Sequence, residues 1–226
     1  MRGIELPISF GITALWHRLE QLGLSYKKTT RAAEQDRPDV KTARRHWRRQ
    51  QPSWDVRQLV FIDETSLNTK MARHHGRCPM GQRCISAIPH GHWQSSFIAA
   101  LRHESIEAPF LIEGPVDAEV FTAYLEQVLC PQLRAGDTLI LDNLSTHKIH
   151  NVSQLLSARG VGVRYLPPYS PDLNPIELAF AKLKAHLRQA AARTLDDLHS
   201  ALAIALDSFS AQQCRGFFHH ARYASI

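Results

Sequence analysis

The amino-acid sequence predicts an α/β fold: a mixed five-stranded sheet with helices on both faces, preceded by a basic helical segment. Two short and largely apolar runs, Leu59–Ile62 and Thr138–Leu141, have the composition of strands buried on both faces of a sheet. Segments with the apolar spacing of helices alternate with the later strands, as they do in parallel βαβ units. At 226 residues, 44% of them hydrophobic, the chain is long enough for one domain with a sizeable core and a small appendage.

The first quarter of the chain carries all of the net charge of +6. Residues 1–58 contain 12 Lys and Arg against 6 Asp and Glu, whereas residues 59–226 contain 15 of each sign. A basic appendage on a neutral domain indicates a polyanionic partner, because Lys and Arg displace the counterions condensed on nucleic-acid phosphates. A soluble basic tail without a partner is the alternative.

Two helices are predicted in this basic segment. Ser9–Leu22 has apolar residues at helical spacing, and a second helix begins at Pro38, which suits a first helical turn. Bases cover much of the second helix, so we expect phosphate contacts there, although a solvated charged face is the alternative. The predicted nucleic-acid-binding residues are Lys27, Lys28, Lys41, Arg44, Arg45, Arg48 and Arg49.

Five strands are predicted in the rest of the chain. They cover residues 59–63, 84–89, 93–101, 138–142 and 161–166. The first three should be antiparallel because short turns join them, and the later ones parallel because helices separate them. The helices are predicted over residues 117–129, 147–158, 174–192, 194–209 and 211–221.

Two of the apolar strands end in a single aspartate, Asp63 and Asp142. If these strands are parallel neighbours, the two carboxylates emerge side by side at one edge of the sheet. Two ionised carboxylates that close repel each other unless a cation lies between them. Oxygen ligands of this kind select Mg²⁺ or Mn²⁺ over Zn²⁺.

Glu177 is the candidate for the third acid that a two-metal site needs. The 34 residues that separate it from Asp142 allow a helix, a strand and a turn to bring it back to the same edge. The alternative is a capping box, in which Asn174 and Glu177 satisfy backbone N–H groups at the start of a helix. The local sequence leaves both interpretations open.

Three segments surround these acids: residues 61–65 (FIDET), 141–148 (LDNLSTHK) and 167–177 (PPYSPDLNPIE). They resemble the three sequence blocks of DDE transposases, and most closely the bacterial IS630 group of the Tc1/mariner superfamily. The 34-residue gap and the terminal glutamate match the acidic triad of that group. Residues 32–40 resemble its inter-domain segment, and the resemblance extends over roughly residues 24–222.

The resemblance implies an RNase H-like DDE catalytic domain at residues 59–226, with Asp63, Asp142 and Glu177 as catalytic residues and as ligands of two Mg²⁺ or Mn²⁺ ions. It implies a DNA transposase that cleaves phosphodiesters at the inverted-repeat ends of an insertion sequence. It also implies that strand transfer into a TA-containing double-stranded target follows, within a synaptic homodimer. Asn143 and His147 lie near Asp142 and are candidate supporting residues that orient water or phosphate, with local turn and cap hydrogen bonding as the alternative.

Complete members of this group begin with a paired helix-turn-helix region, and this chain starts too late to contain one. We therefore expect residues 1–58 to be the remnant of that region plus a linker, in an N-terminally truncated chain. Whether such a chain is active alone is open. The alternative function is a degenerate or repurposed transposase that binds DNA without cutting it.

The remaining composition excludes several classes of protein. No apolar stretch approaches the length of about 18 residues that a membrane span needs, so no membrane partner is expected. Four cysteines are too few for a disulfide scaffold. We therefore expect a cytoplasmic protein, and the resemblance implies a bacterial one associated with the nucleoid.

Overall fold

The computed structural model describes residues 11–22, 32–73, 78–83, 85, 87–88, 93–142 and 150–223. The chain forms two compact units, residues 1–33 and residues 34–226. Helix α1, Ile12–Gln21, lies in the first unit and within the predicted helix. The boundary between the units precedes the predicted domain boundary at residue 58, because the second basic helix belongs to the larger unit.

A five-stranded mixed sheet with the strand order β3-β2-β1-β4-β5 forms the centre of the larger unit. The strands are β1 Leu59–Asn68, β2 Gln94–Leu101, β3 Ile106–Glu113, β4 Thr138–Leu141 and β5 Gly162–Tyr165. Strands β1, β2 and β3 pair antiparallel, whereas β4 is parallel to both β1 and β5. The predicted mixed sheet is confirmed.

One strand lies elsewhere than predicted. Residues 85, 87 and 88, the described part of the predicted strand 84–89, are not in a strand, and the third strand is β3. Pro109 makes β3 hard to predict because it cannot donate a ladder hydrogen bond. The structure accommodates it because β3 is an edge strand whose register shifts beside Ala108, a residue with φ of 50°.

Helices cover both faces of this sheet. They are α2 Pro38–Gln50, α3 Ala118–Tyr124, α4 His150–Ser157, α5 Ile176–Ala190, α6 Leu195–Asp207 and α7 Ala211–His220. Leu59 and Phe61 of β1 belong to the core that packs under α2, α5, α6 and α7, whereas Val60 and Ile62 belong to the core under α3 and α4. Among the helices that the structure describes, none combines the length and apolarity needed to cross a bilayer.

Helix α2 begins at Pro38 as predicted, and its apolar stripe is buried against the larger unit. Trp47 is 7% exposed, and its indole N–H donates to the hydroxyl of Tyr223 (2.8 Å). That hydroxyl in turn donates to the carbonyl of Leu173 (2.7 Å). These hydrogen bonds therefore connect helix α2 to the segment that precedes α5.

Candidate active site

Asp63 and Asp142 emerge on the same face of the sheet. Asp63 lies two residues after Phe61, and Asp142 lies two residues after Ile140. Phe61 and Ile140 are paired across the parallel strands β1 and β4. Side chains alternate along a strand, and both Phe61 and Ile140 belong to the core under α5, so the two aspartates face that side as well. Strand β1 continues to Asn68 beside β2, whereas β4 ends at Leu141, which opens the sheet next to Asp63.

Glu177 lies on the first turn of α5, which packs over β1. A pocket of about 540 Å³ is lined by Asp63, Asp142 and Glu177 together. Among the described residues, no three His, Cys, Asp or Glu side chains lie close enough to hold one metal ion. The three predicted acids therefore share a pocket without forming a closed ligand cluster in this conformation.

Hydrogen bonds hold the carboxylate of Asp63 in place. Its Oδ1 accepts from the backbone N–H of Glu64 (2.8 Å) and its Oδ2 accepts from Nδ2 of Asn174 (2.9 Å). The capping-box interpretation of Asn174 is wrong, because α5 has Pro175 as its N-cap and no side-chain cap bond. The amide of Asn174 binds the aspartate instead.

The electrostatics of the pocket couple the acidic side chains. Burial raises the pKa of Glu177; among the nearby charges, Lys184 lowers it and Asp142 raises it. Burial lowers the pKa of Lys184, and the charge of Arg188 lowers it further, whereas Glu177 and Asp63 raise it. The pocket therefore gathers negative charge whose mutual repulsion a bound cation would relieve.

The predicted DNA-binding residues have different environments. Lys41 pairs with Asp36 (3.1 Å) and Arg48 pairs with Asp172 (3.1 Å), both as partly exposed pairs. Arg45 and Arg49 are exposed on α2. Four predicted site residues lie outside the described residues, namely Lys27, Lys28, Asn143 and His147.

Arg44 does not occupy the exposed position that we predicted. It is 7% exposed, and its guanidinium donates to Oγ of Ser170 (2.7 Å) and to both carboxylate oxygens of Asp172 (2.8 and 2.7 Å). The pairing is bidentate and lies across 128 residues of chain. Arg44 therefore fastens the turn before α5 and is not available to contact phosphate.

Two residues that line the pocket, Arg37 and Asn174, are not among the predicted site residues. Arg37 lines the pocket beside the three acids and also pairs with Asp39 (2.7 Å). Its position within the inter-domain segment, residues 32–40, was the signal that could have identified it. The sequence places Asn174 three residues before Glu177, but the contact of Asn174 with Asp63 spans 111 residues and no local pattern predicts it.

Solved structures with the same fold include Mos1 transposase assemblies. A pre-cleavage Mos1 transpososome matches with a TM-score of 0.68 at 17% identity, covering 92% of this chain and 67% of that chain. The catalytic domain of Mos1 mariner transposase matches with a TM-score of 0.59 at 14% identity, covering 87% of this chain and 92% of that chain. The RNase H-like fold is therefore confirmed.

Sequence comparisons identify the family. The Tcb1 transposable-element transposase of Caenorhabditis briggsae is 28% identical over 162 residues, which is 65% of this chain and 59% of that protein. This chain therefore spans about three-fifths of the length of that relative. A family model described as DDE superfamily endonuclease matches residues 58–199, more than half of the chain. The chain thus belongs to the DDE superfamily endonucleases.

Proposed function

We propose that this chain is the catalytic core of a DNA transposase that uses two divalent cations to cleave phosphodiesters and transfer strands at the ends of an insertion sequence. The observation that carries the proposal is the pocket shared by Asp63, Asp142 and Glu177, three acids from separate elements of a DDE-family chain. Mos1 structures that contain Mn, Mg or transposon ends support a role for cations and duplex DNA.

The donor set of the pocket fits Mg²⁺ or Mn²⁺, because its acidic side chains offer carboxylate oxygens and such hard ions prefer oxygen. Asp63, Asp142 and Glu177 would hold the cations through their carboxylate oxygens. When bound, the cations activate the attacking water or 3′-hydroxyl and stabilise the leaving oxygen. Because Glu177 lies on the first turn of α5 with part of its side chain open to solvent, we expect the side chain to rotate toward the aspartates on binding.

The protein side chains around the acids would orient the nucleic acid. Arg37 presents a guanidinium at the pocket, where it suits the negatively charged oxygens of a phosphodiester. Arg45 and Arg49 on α2 supply positive charge for backbone contacts along a duplex. We further propose that the chain acts on inverted-repeat ends and a TA-containing target within a homodimeric synapse. It would do so in the bacterial cytoplasm, at the nucleoid.

A nicking assay tests this function directly. Supercoiled DNA is incubated with the full chain and Mg²⁺ or Mn²⁺, using wild type, Asp142→Asn and the control Asp196→Asn. Asp196 is exposed at the start of α6 and does not line the pocket. We expect Asp142→Asn to lose more than about a hundredfold in rate, because removing a ligand removes transition-state stabilisation of several kcal/mol.

Asp196→Asn should nick as fast as wild type. Equal nicking by wild type and Asp142→Asn would overturn the proposed chemistry. Retention of DNA by a wild type that does not nick would favour the alternative of a transposase-derived protein that binds DNA without cutting.

A further inference from the structure

Asn174 occupies a rigid and buried position between a one-turn 3₁₀ helix at Pro171–Leu173 and helix α5. The residue is 5% exposed, and its backbone N–H donates to the carbonyl of Pro171 (3.0 Å). Its own carbonyl accepts from the N–H of Glu177 (3.2 Å). Because the preceding carbonyl of Leu173 is also held, by the Tyr223 hydroxyl, the backbone fixes the direction of the Asn174 side chain.

The chemistry of the contact with Asp63 fixes which end of the amide faces the acid. An ionised carboxylate can only accept hydrogen bonds, so Asn174 presents its NH₂ group to Asp63 Oδ2, at 2.9 Å. With the Glu64 N–H on Oδ1, both carboxylate oxygens accept hydrogen bonds from groups of fixed position. The Asp63 carboxylate is therefore held in one orientation at the pocket.

The oxygen atom of the Asn174 amide differs from the NH₂ group in its hydrogen bonding. Oδ1 of Asn174 is buried and accepts no hydrogen bond from the residues that the structure describes. A buried carbonyl oxygen without a donor is costly, and such atoms commonly bind ordered water. Asn174 lines the pocket of the three acids, where a cation would bring bound water.

We propose that Asn174 is a positioning residue for cation binding. Its Nδ2 orients the Asp63 carboxylate as a ligand, and its Oδ1 accepts a hydrogen bond from a water molecule on the bound cation. This inference rests on the proposed function, since it assigns Asn174 to the support of that same site. Outer partners that orient metal-binding carboxylates typically contribute ten- to hundredfold in affinity or activity.

The test uses Mn²⁺ binding to the full chain without DNA, measured by electron paramagnetic resonance, together with thermal unfolding. Asn174→Ala removes both amide groups, and Asn174→Leu removes them while keeping the volume. Gln51→Ala is the matched control, because Gln51 is a carboxamide only 2% exposed that donates to the carbonyl of Ala221 (3.1 Å) outside the pocket. Asp142→Asn reports whether the acids bind Mn²⁺ at all.

We expect both Asn174 variants to bind Mn²⁺ about ten- to hundredfold more weakly than wild type. Gln51→Ala should lower the unfolding temperature but keep its affinity within about twofold, since it loses packing without touching Asp63. Nicking by the Asn174 variants should fall further with Mg²⁺ than with Mn²⁺, because Mg²⁺ demands near-ideal octahedral geometry. Loss of stability alone would not change the ratio of the nicking rate with Mg²⁺ to the nicking rate with Mn²⁺.

Wild-type Mn²⁺ affinity in both Asn174 variants, with loss in Asp142→Asn, would overturn this inference and leave the proposed function intact. Equal Mn²⁺ binding by wild type and Asp142→Asn would overturn both. Failure of both Asn174 variants to fold would make Asn174 a structural residue and would also overturn the positioning role.

Discussion

At the scale of single residues, Asp172 keeps its charge because of two arginines on α2. Burial alone would raise the pKa of Asp172, but the hydrogen bonds and charges of Arg44 and Arg48 outweigh burial and lower it. Arg44 is nearly buried, so the ion pair is shielded on one side and open to solvent on the other. This pair ties α2 to the turn that leads to Asn174 and Glu177.

The depressed pKa of Asp172 predicts a pH-dependent stability. A carboxyl whose folded pKa lies below its unfolded value, about 3.9, stabilises the fold above that value and loses its contribution as pH falls through the folded pKa. We expect Asp172→Asn to lower the free energy of unfolding by about 1–2 kcal/mol at pH 7, discounting for the half-exposed carboxylate. Urea unfolding at pH 7 and at acidic pH measures the difference.

The gap between wild type and Asp172→Asn should close as the pH falls below about 4. The exposed control Asp196→Asn should show little change at either pH. A difference of the same size at both pH values would mean that the charge of Asp172 does not hold this turn.

At the scale of elements, α2 has two faces with different roles. Arg44 and Trp47 are buried against the larger unit, whereas Arg45 and Arg49 lie on the exposed face. Among the described residues, no ion pair uses Arg45 or Arg49. The exposed face is therefore the part of α2 with charge available for DNA phosphates.

A salt titration of DNA binding separates these two faces. The double variant Arg45→Ala, Arg49→Ala should bind duplex DNA more weakly, and the slope of log K against log salt should become shallower by about 2. Arg44→Ala should instead lower the unfolding midpoint and leave the slope unchanged. An unchanged slope in the double variant would contradict phosphate contact by α2.

The elements differ in how far their sequence predicts them. Strand β4 and the first half of β1 are predictable because they are short apolar runs buried on both faces, whereas β1 continues through polar residues to Asn68, beyond the predicted end at residue 63. Strand β3 is not, because Pro109 removes the usual strand signal and only its place at the sheet edge permits it. The triad was predicted from spacing and resemblance, but the contacts of Arg44 and Asn174 join residues more than 100 positions apart.

At the scale of the whole molecule, the candidate site lies where the sheet changes from antiparallel to parallel pairing. Strand β1 pairs antiparallel with β2 and parallel with β4, and Asp63 and Asp142 come from these two parallel neighbours. Helix α5 packs over the same face and brings Glu177 to the pocket. The proposed activity requires these three acids to close around divalent cations.

Anomalous diffraction from crystals of the full chain soaked with Mn²⁺ tests that requirement most directly. We expect manganese in the pocket, with Asp63, Asp142 and Glu177 as its protein ligands. Glu177 should then have moved toward the aspartates from its place in the present structure. Manganese elsewhere on the molecule, with the pocket acids unligated at saturating Mn²⁺, would contradict a cation site built by these three acids.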